Sequence, residues 1–255
     1  MATEISKTQI DKLGNRLKKG EITDSDLRLL DEYRRSISEA YEFVVGAIRT
    51  ELALEPTGRP AKSTTSITDK LLRESIRLTQ VQDIAGCRLI VSEMVDQDRV
   101  VRSIERLFEN AIVVDRREHP SHGYRAVHVI VKHSDKLVEI QIRTLLQHVW
   151  AELSEKLSDV LDPAIKYGKG DESIVNALFE TSVVFARKEA QEAEVASLER
   201  RVSAKLSEGS LEQDKAQALI DLQRELNEIK KDQLSLREEA IVAFRRIMDQ
   251  ASKER

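Results

Sequence analysis

The sequence predicts an α+β protein, with a mixed β-sheet of about four to five strands flanked by helices, N-terminal helices before it and a long C-terminal helical hairpin after it. Three observations carry this. Apolar residues near the N-terminus recur at three- and four-residue steps, the helical period. Between Ile84 and Arg143 the apolar residues instead fall in short runs or alternate, the strand period. Residues 172–255 contain no proline and a single glycine, Gly209, among dense Glu, Lys, Arg, Ala and Leu.

Taken in order, residues 1–55 read as two helices. Thr23-Asp24-Ser25-Asp26 is a helix start of the capping-box type, with Asp where Glu is preferred. Leu27, Leu30, Tyr33, Ile37, Ala40 and Val44 then form one packing stripe. Pro56, Gly58 and Pro60 break the pattern, and Ser63-Thr64-Thr65-Ser66 leads into a helix expected from Ser66 to about Ile76. Arg88–Val91 suits a buried strand, Asp96–Asn110 a helix and Ala111–Asp115 a strand. Ala126–His133 and Lys136–Arg143 pair as a hairpin across Ser134-Asp135, and a helix follows from Thr144 to about Val160.

The C-terminal part reads as two long helices broken near Ser207-Glu208-Gly209-Ser210. Leu219, Leu222, Leu226, Ile229, Leu234 and Leu236 follow a heptad only loosely, which leaves an antiparallel hairpin or a dimerising coiled coil. The expected organisation is residues 1–170 as one domain (helices 1–55, α/β core 56–170) and 171–255 as a helical extension.

Of the 255 residues 34% are charged and 4% aromatic, which fits long solvated helices around a modest core. A net charge of −4 provides no global field toward nucleic acid or anionic membranes. No run of 18 apolar residues is available to span a bilayer, and the N-terminus has no secretory pattern. The single cysteine, Cys87, falls in an apolar run and fits a reducing compartment, so a cytoplasmic location is expected.

Charges in or beside strands need a reason, because an unpaired ion in a sheet is costly. Asp83 stands at the mouth of the first strand and Arg88 inside it. In Leu137-Val138-Glu139-Ile140-Gln141-Ile142-Arg143 the two-residue period places Glu139, Gln141 and Arg143 on one face and the apolar residues on the other. Asp83 and Glu139 would make a hard-oxygen site suited to Mg²⁺ shared with phosphate oxygens, and one of them could take a proton from an attacking hydroxyl. A solvated cross-strand ladder is the other reading. Arg59, Lys62, Lys70 and Arg73 form a cationic loop and helix beside Ser66, where free N–H groups favour an anion. In Ser121-His122-Gly123-Tyr124-Arg125-Ala126-Val127-His128 a glycine-bearing loop enters a strand, placing Tyr124 where it could stack on a base or serve the core. His119, His122 and His128 match no structural zinc spacing.

Gln82-Asp83-Ile84-Ala85-Gly86-Cys87-Arg88, Gly123-Tyr124-Arg125-Ala126-Val127-His128 and Glu139-Ile140-Gln141-Ile142-Arg143-Thr144, with Lys62, Ser66, Lys70 and Arg73 upstream, resemble the synthetase domain of RelA/SpoT-type enzymes over about residues 30–165. The resemblance implies a nucleotidyltransferase-like synthetase fold and Mg²⁺-dependent transfer of pyrophosphate from ATP to the 3′-hydroxyl of GDP or GTP. It implies that Asp83 and Glu139 hold Mg²⁺, with Glu139 also the base. Arg59 and Arg88 would sandwich adenine, and Lys62, Ser66, Lys70 and Arg73 would serve the ATP phosphates. Tyr124, Arg125, His128, Gln141, Arg143 and His148 would form the acceptor side. The chain departs from the family's pattern in the two residues between Arg59 and Lys62, and at Ala126, His148 and Ser154-Glu155. With neither the family's hydrolase motif nor a sensing module in view, the layout resembles a small, single-domain synthetase.

Two other functions stay open. One is the same chemistry on the 3′ end of tRNA, against which the net charge counts because RNA affinity rests largely on phosphate contacts. The other is a non-catalytic nucleotide-binding or interaction protein. In either case the C-terminal helices could serve a homo-oligomer or a regulatory partner.

Overall fold

The structure, a computed structural model, describes residues 5–207 and 213–253. The chain divides into two compact units. The first comprises Met1–Leu89, Arg99–Asp115 and Val127–Ile142; the second comprises Ile90–Asp98, Arg116–Ala126 and Arg143–Arg255.

The first unit opens with α1 (Lys7–Lys19) and α2 (Asp24–Leu52). The capping box at the start of α2 forms as the sequence predicts: Asp26 N–H donates to the Thr23 hydroxyl, and Thr23 N–H donates back to the Asp26 carboxylate. Leu30, Tyr33, Ile37, Ala40 and Val44 are buried along one stripe, while Leu27 faces outward. The following helix, α3, spans Thr64–Arg73 rather than Ser66–Ile76. Among four consecutive hydroxyl residues Ser63 supplies the cap, accepting from Ser66 N–H, and extended backbone at Glu74 stops the helix.

The sheet has five strands in the order β1-β2-β5-β4-β3: β1 Thr57–Arg59, β2 Ala85–Val91, β3 Ile112–Asp115, β4 Val127–His133 and β5 Lys136–Thr144. Four were expected with roughly these bounds. β1 falls in a stretch read as loop; Pro56 and Pro60 bracket it, as an edge strand allows. Helix α4 (Met94–Leu107) lies between β2 and β3 in the chain. The hairpin register pairs Ile130 with Glu139 and His128 with Gln141, and the turn residues Ser134 and Asp135 both take positive φ.

Strand alternation then divides the sheet chemically. Cys87, Leu89, Val127, Val129, Val131, Val138, Ile140 and Ile142 all join the core that α1–α3 cover. Burial pushes the Cys87 thiol up to about 12, so it behaves as a small apolar side chain. Arg88, His128, Glu139 and Gln141 take the opposite face.

The second unit rests on α5 (Leu145–Val160), α6 (Glu172–Ser207) and α7 (Gln213–Lys253). Thr144 caps α5 in a box with Gln147. Ser203 bonds Gln223, Glu199 pairs with Lys230 and Glu192 with Arg237, a descending series that makes α6 and α7 an antiparallel hairpin. Of the heptad-like residues Leu226 is buried, whereas Leu222, Ile229 and Leu234 are exposed, so they form no continuous seam. Within the expected break Glu208–Ser210 lie outside the described residues, as does the side chain of Leu236. No helix among the described residues is long and apolar enough to cross a membrane.

Candidate functional site

The two candidate carboxylates lie in the first unit. Asp83 precedes β2, and backbone N–H of Lys62 donates to the Ile84 carbonyl at 2.7 Å, which ties the β1–α3 loop to the same strand end. Lys62 Nζ and Lys70 Nζ consequently reach Asp83 from two sides, bonding Oδ2 and Oδ1 respectively, the latter at 2.9 Å. Burial pushes the Asp83 carboxyl up, but the two ammonium groups more than offset this and hold it below its usual range.

Glu139 is 8% exposed in the middle of β5. His128 Nδ1 donates to Oε1 at 2.9 Å, and Gln141 Nε2 donates to Oε2 at 2.7 Å. Burial again raises the carboxyl, and His128 and then Gln141 bring it below the ordinary value, while the charge of Asp83 acts in the opposite direction. The charge of Asp83 is thus felt at Glu139, which puts the two carboxylates within electrostatic range. Both are ionised near neutral pH. Gly86 lets β2 run close to β5 at Glu139: a Cβ there would stand 2.9 Å from the Glu139 carbonyl oxygen and 3.6 Å from its Cβ.

The register of β1 on β2 opposes Arg59 to Gly86 and Thr57 to Arg88, so both arginines share the face that carries Glu139. Ser66 occupies the first turn of α3 and shares a hydroxyl bond with Ser63. Lys70 thus reaches Asp83 from α3, and Arg73, exposed at the end of the helix, pairs with the adjacent Glu74. Sequence reasoning missed Arg34, whose guanidinium donates to the Thr64 hydroxyl at the start of α3 at 2.8 Å; on α2 it reads as one charge among several.

The remaining candidates lie in the second unit. Arg143 NH2 donates to the Tyr124 hydroxyl at 3.1 Å, and its guanidinium carbon stands 5.1 Å from the ring centroid, a cation–π arrangement. The Tyr124 and Trp150 rings lie 6.5 Å apart. Gly123, with φ +87°, supplies a turn that a side chain would strain. Arg125 is buried and donates to Glu189 of α6 at 2.5 Å, so its charge is already matched inside the protein. His148 lies 3.3 Å from Glu152 one helical turn away. Glu189 is the second residue that sequence reasoning missed.

Among the described residues no group of three or more His, Cys, Asp or Glu is arranged to hold a metal. The donor set is two carboxylates backed by cations. Such a set suits a hard cation that takes its other ligands from water and phosphate, and does not suit a closed structural metal centre.

Residues 58–158 match the model of a family described as a region found in RelA / SpoT proteins. A relative in Mycobacterium tuberculosis, described as uncharacterised, is 32% identical over 188 residues, covering 66% of this chain and 69% of its own length. GTP pyrophosphokinase YjbM of Bacillus subtilis is 35% identical over 154 residues, covering 51% of this chain and 72% of its own. Among solved structures, the small alarmone synthetase 1 of Bacillus subtilis superposes with a TM-score of 0.52 at 29% identity, covering 70% of this chain and 100% of that one. The same enzyme bound to its product pppGpp also gives 0.52, at 27% identity.

Proposed function

Because the chain belongs to the RelA/SpoT family, we propose that it is a pyrophosphokinase that moves the β,γ-pyrophosphate of ATP to the 3′-hydroxyl of GDP or GTP. The observation that carries this is the pairing of Asp83 with Glu139. Two ionised carboxylates, one half-buried and one buried, lie within electrostatic range, with Lys62 and Lys70 on Asp83 and with His128 and Gln141 on Glu139. A solvated ladder would not explain two acids held charged at a sheet face where burial opposes it.

In this reading the acceptor 3′-oxygen attacks the β-phosphorus of ATP. A new oxygen–phosphorus bond forms, the bond from the β-phosphorus to the α,β-bridging oxygen breaks, and AMP leaves with that oxygen. Glu139, ionised and fixed by His128 and Gln141, takes the hydroxyl proton. Lys62 and Lys70 sit beside the phosphates, spreading their charge between substrate and Asp83, while Arg59 and Arg88 on their shared sheet face hold adenine. Tyr124 and Arg143 offer an aromatic face and a cation to the acceptor nucleotide. The carboxylate oxygens of Asp83 and Glu139 accept hydrogen bonds from Lys62, Lys70, His128 and Gln141, and a carboxylate oxygen has two lone pairs, so the pair fits Mg²⁺. Bound there, Mg²⁺ would neutralise charge on the phosphates. Little covalent work falls to the protein, which agrees with a site that has no activated serine or cysteine.

Incubation of the protein with Mg²⁺, ATP and GDP or GTP, followed by mass spectrometry, should show AMP and a guanosine carrying a 3′-pyrophosphate. Glu139→Gln should abolish both. Absence of AMP with every nucleotide acceptor and with tRNA would sink the reading; label passing from γ-labelled ATP to tRNA alone would replace its acceptor.

A further inference from the structure

We propose that Glu189, on α6 and beyond residues 58–158, is a positioning residue for the acceptor nucleotide, making α6 a working part of the synthetase. This rests on the assignment of Tyr124 and Arg143 to the acceptor. Helix α6 presents Leu178, Ser182, Phe185 and Glu189 at steps of four, three and four, all of them buried. That stripe meets the Tyr124 loop and α5 through polar contacts along its length. Trp150 Nε1 donates to the Leu178 carbonyl at 2.8 Å, and the Ser182 hydroxyl donates to the Gly123 carbonyl at 2.6 Å. At its end the Glu189 carboxylate accepts from Arg125 NH1 at 2.5 Å, from the Thr144 hydroxyl and from Gln147 Nε2 at 3.1 Å.

These partners bracket the acceptor candidates in sequence. Gly123 and Arg125 flank Tyr124, and Thr144 follows Arg143. One carboxylate therefore pins the residue after the aromatic ring and the residue after the cation that stacks on it. The Glu189 side chain is 1% exposed and Arg125 8%, so the pair is desolvated and its geometry is narrow. An isolated helical extension gains nothing from burying a carboxylate, since a buried ion needs compensating partners; of the three partners of this one, Arg125 and Thr144 come from the loop and strand end that hold Tyr124 and Arg143, and Gln147 from the first turn of α5 that follows them. Through them Glu189 sets the distance between the tyrosine ring and the guanidinium without touching substrate.

Trp150, the sole tryptophan, stands 6.5 Å from the Tyr124 ring and reports on this loop without any need for turnover. GDP and a non-hydrolysable ATP analogue would each be titrated into full-length protein while Trp150 fluorescence is followed, with the analogue's binding checked by calorimetry. Glu189→Gln, which keeps shape but loses charge, should raise the Kd for GDP at least fivefold and leave that for the ATP analogue within twofold. Equal loss of both affinities, or an unchanged GDP affinity in folded E189Q, would overturn the proposal. If E189Q does not fold, Ser182→Ala should raise the GDP Kd at least twofold without moving that of the analogue, and no change there would overturn it equally. Wild-type protein that binds the ATP analogue but no guanine nucleotide would instead refute the acceptor assignment, and this proposal with it.

Discussion

His128 Nδ1 donates to Glu139 Oε1 at 2.9 Å although the two residues are not directly opposed: in the β4–β5 register His128 faces Gln141, and Glu139 faces Ile130. The contact is diagonal, within the reach of long side chains on one sheet face. It requires the proton on Nδ1, since an ionised carboxylate only accepts.

From this contact a pH dependence follows. Burial raises the Glu139 carboxyl, and His128 is the first of the groups that pull it back below its usual range. His128→Phe should therefore raise the Glu139 pKa and shift the acid limb of the rate profile to higher pH. Pyrophosphate transfer should fall by about tenfold or more near pH 6 and by less at pH 8, given the size of general-base contributions. Parallel loss at all pH values would show that His128 does not act through Glu139.

Gly86 offers a test of strand spacing. Its added Cβ would meet a backbone oxygen, Glu139 O, at 2.9 Å, and backbone cannot rotate away. Gly86→Ala should destabilise the protein by about 1–3 kcal/mol, the usual cost of overpacking, and should also depress activity, because the residue displaced is Glu139. Urea titration and an AMP-release assay on the same sample check both. A variant as stable and as active as wild type would show that β2 and β5 are not this close.

The residues of β5 were legible in the sequence because a two-residue period needs no knowledge of the rest of the chain. Val138, Ile140 and Ile142 had to face a core, which left Glu139 and Gln141 on the other side. Asp83 was legible as a charge at a strand mouth. Other features depend on distant partners and leave no local trace. β1 is three residues between prolines, too short for any pattern. Ser63 and Ser66 are equally good caps until the preceding chain direction is known. Glu189 is one acid among many on a charged helix, and its partner Arg125 stands 64 residues away. Its one local signal is the apolar and small-residue stripe of Leu178, Ser182 and Phe185, which it extends.

The pairing of Asp26 with Arg16 predicts acid sensitivity. Hydrogen bonds from Arg16, assisted by Thr23 and opposed by burial, lower the Asp26 carboxyl to about 2. A depressed pKa contributes stability above the unfolded value, near 4, and that contribution is lost as pH falls through about 2. Asp26→Asn should melt below wild type by a constant margin above about pH 5, and the two curves should converge between about pH 4 and pH 2. A margin unchanged down to pH 2 would mean that the carboxylate's charge is irrelevant.

The two cations of α3 separate by their partners. Lys70 Nζ reaches Asp83 Oδ1 at 2.9 Å, whereas Arg73, one turn on, is exposed and pairs with Glu74. Hydrogen bonds between charged groups contribute about 1.5–3 kcal/mol, and each ~1.4 kcal/mol is a factor of ten in affinity. Lys70→Ala should therefore raise the KM for ATP by about tenfold or more, while Arg73→Ala, removing an exposed pair of the kind that contributes about 0–1 kcal/mol, should change it by no more than a few-fold. Lys70→Ala should also lower the melting temperature, because Asp83 loses one of its two ammonium partners in a site where both are largely shielded from water. Steady-state kinetics with ATP varied at saturating GDP measure the first effect and thermal denaturation the second. Equal KM changes for the two variants would mean that the ATP phosphates lie along α3 and not over Asp83.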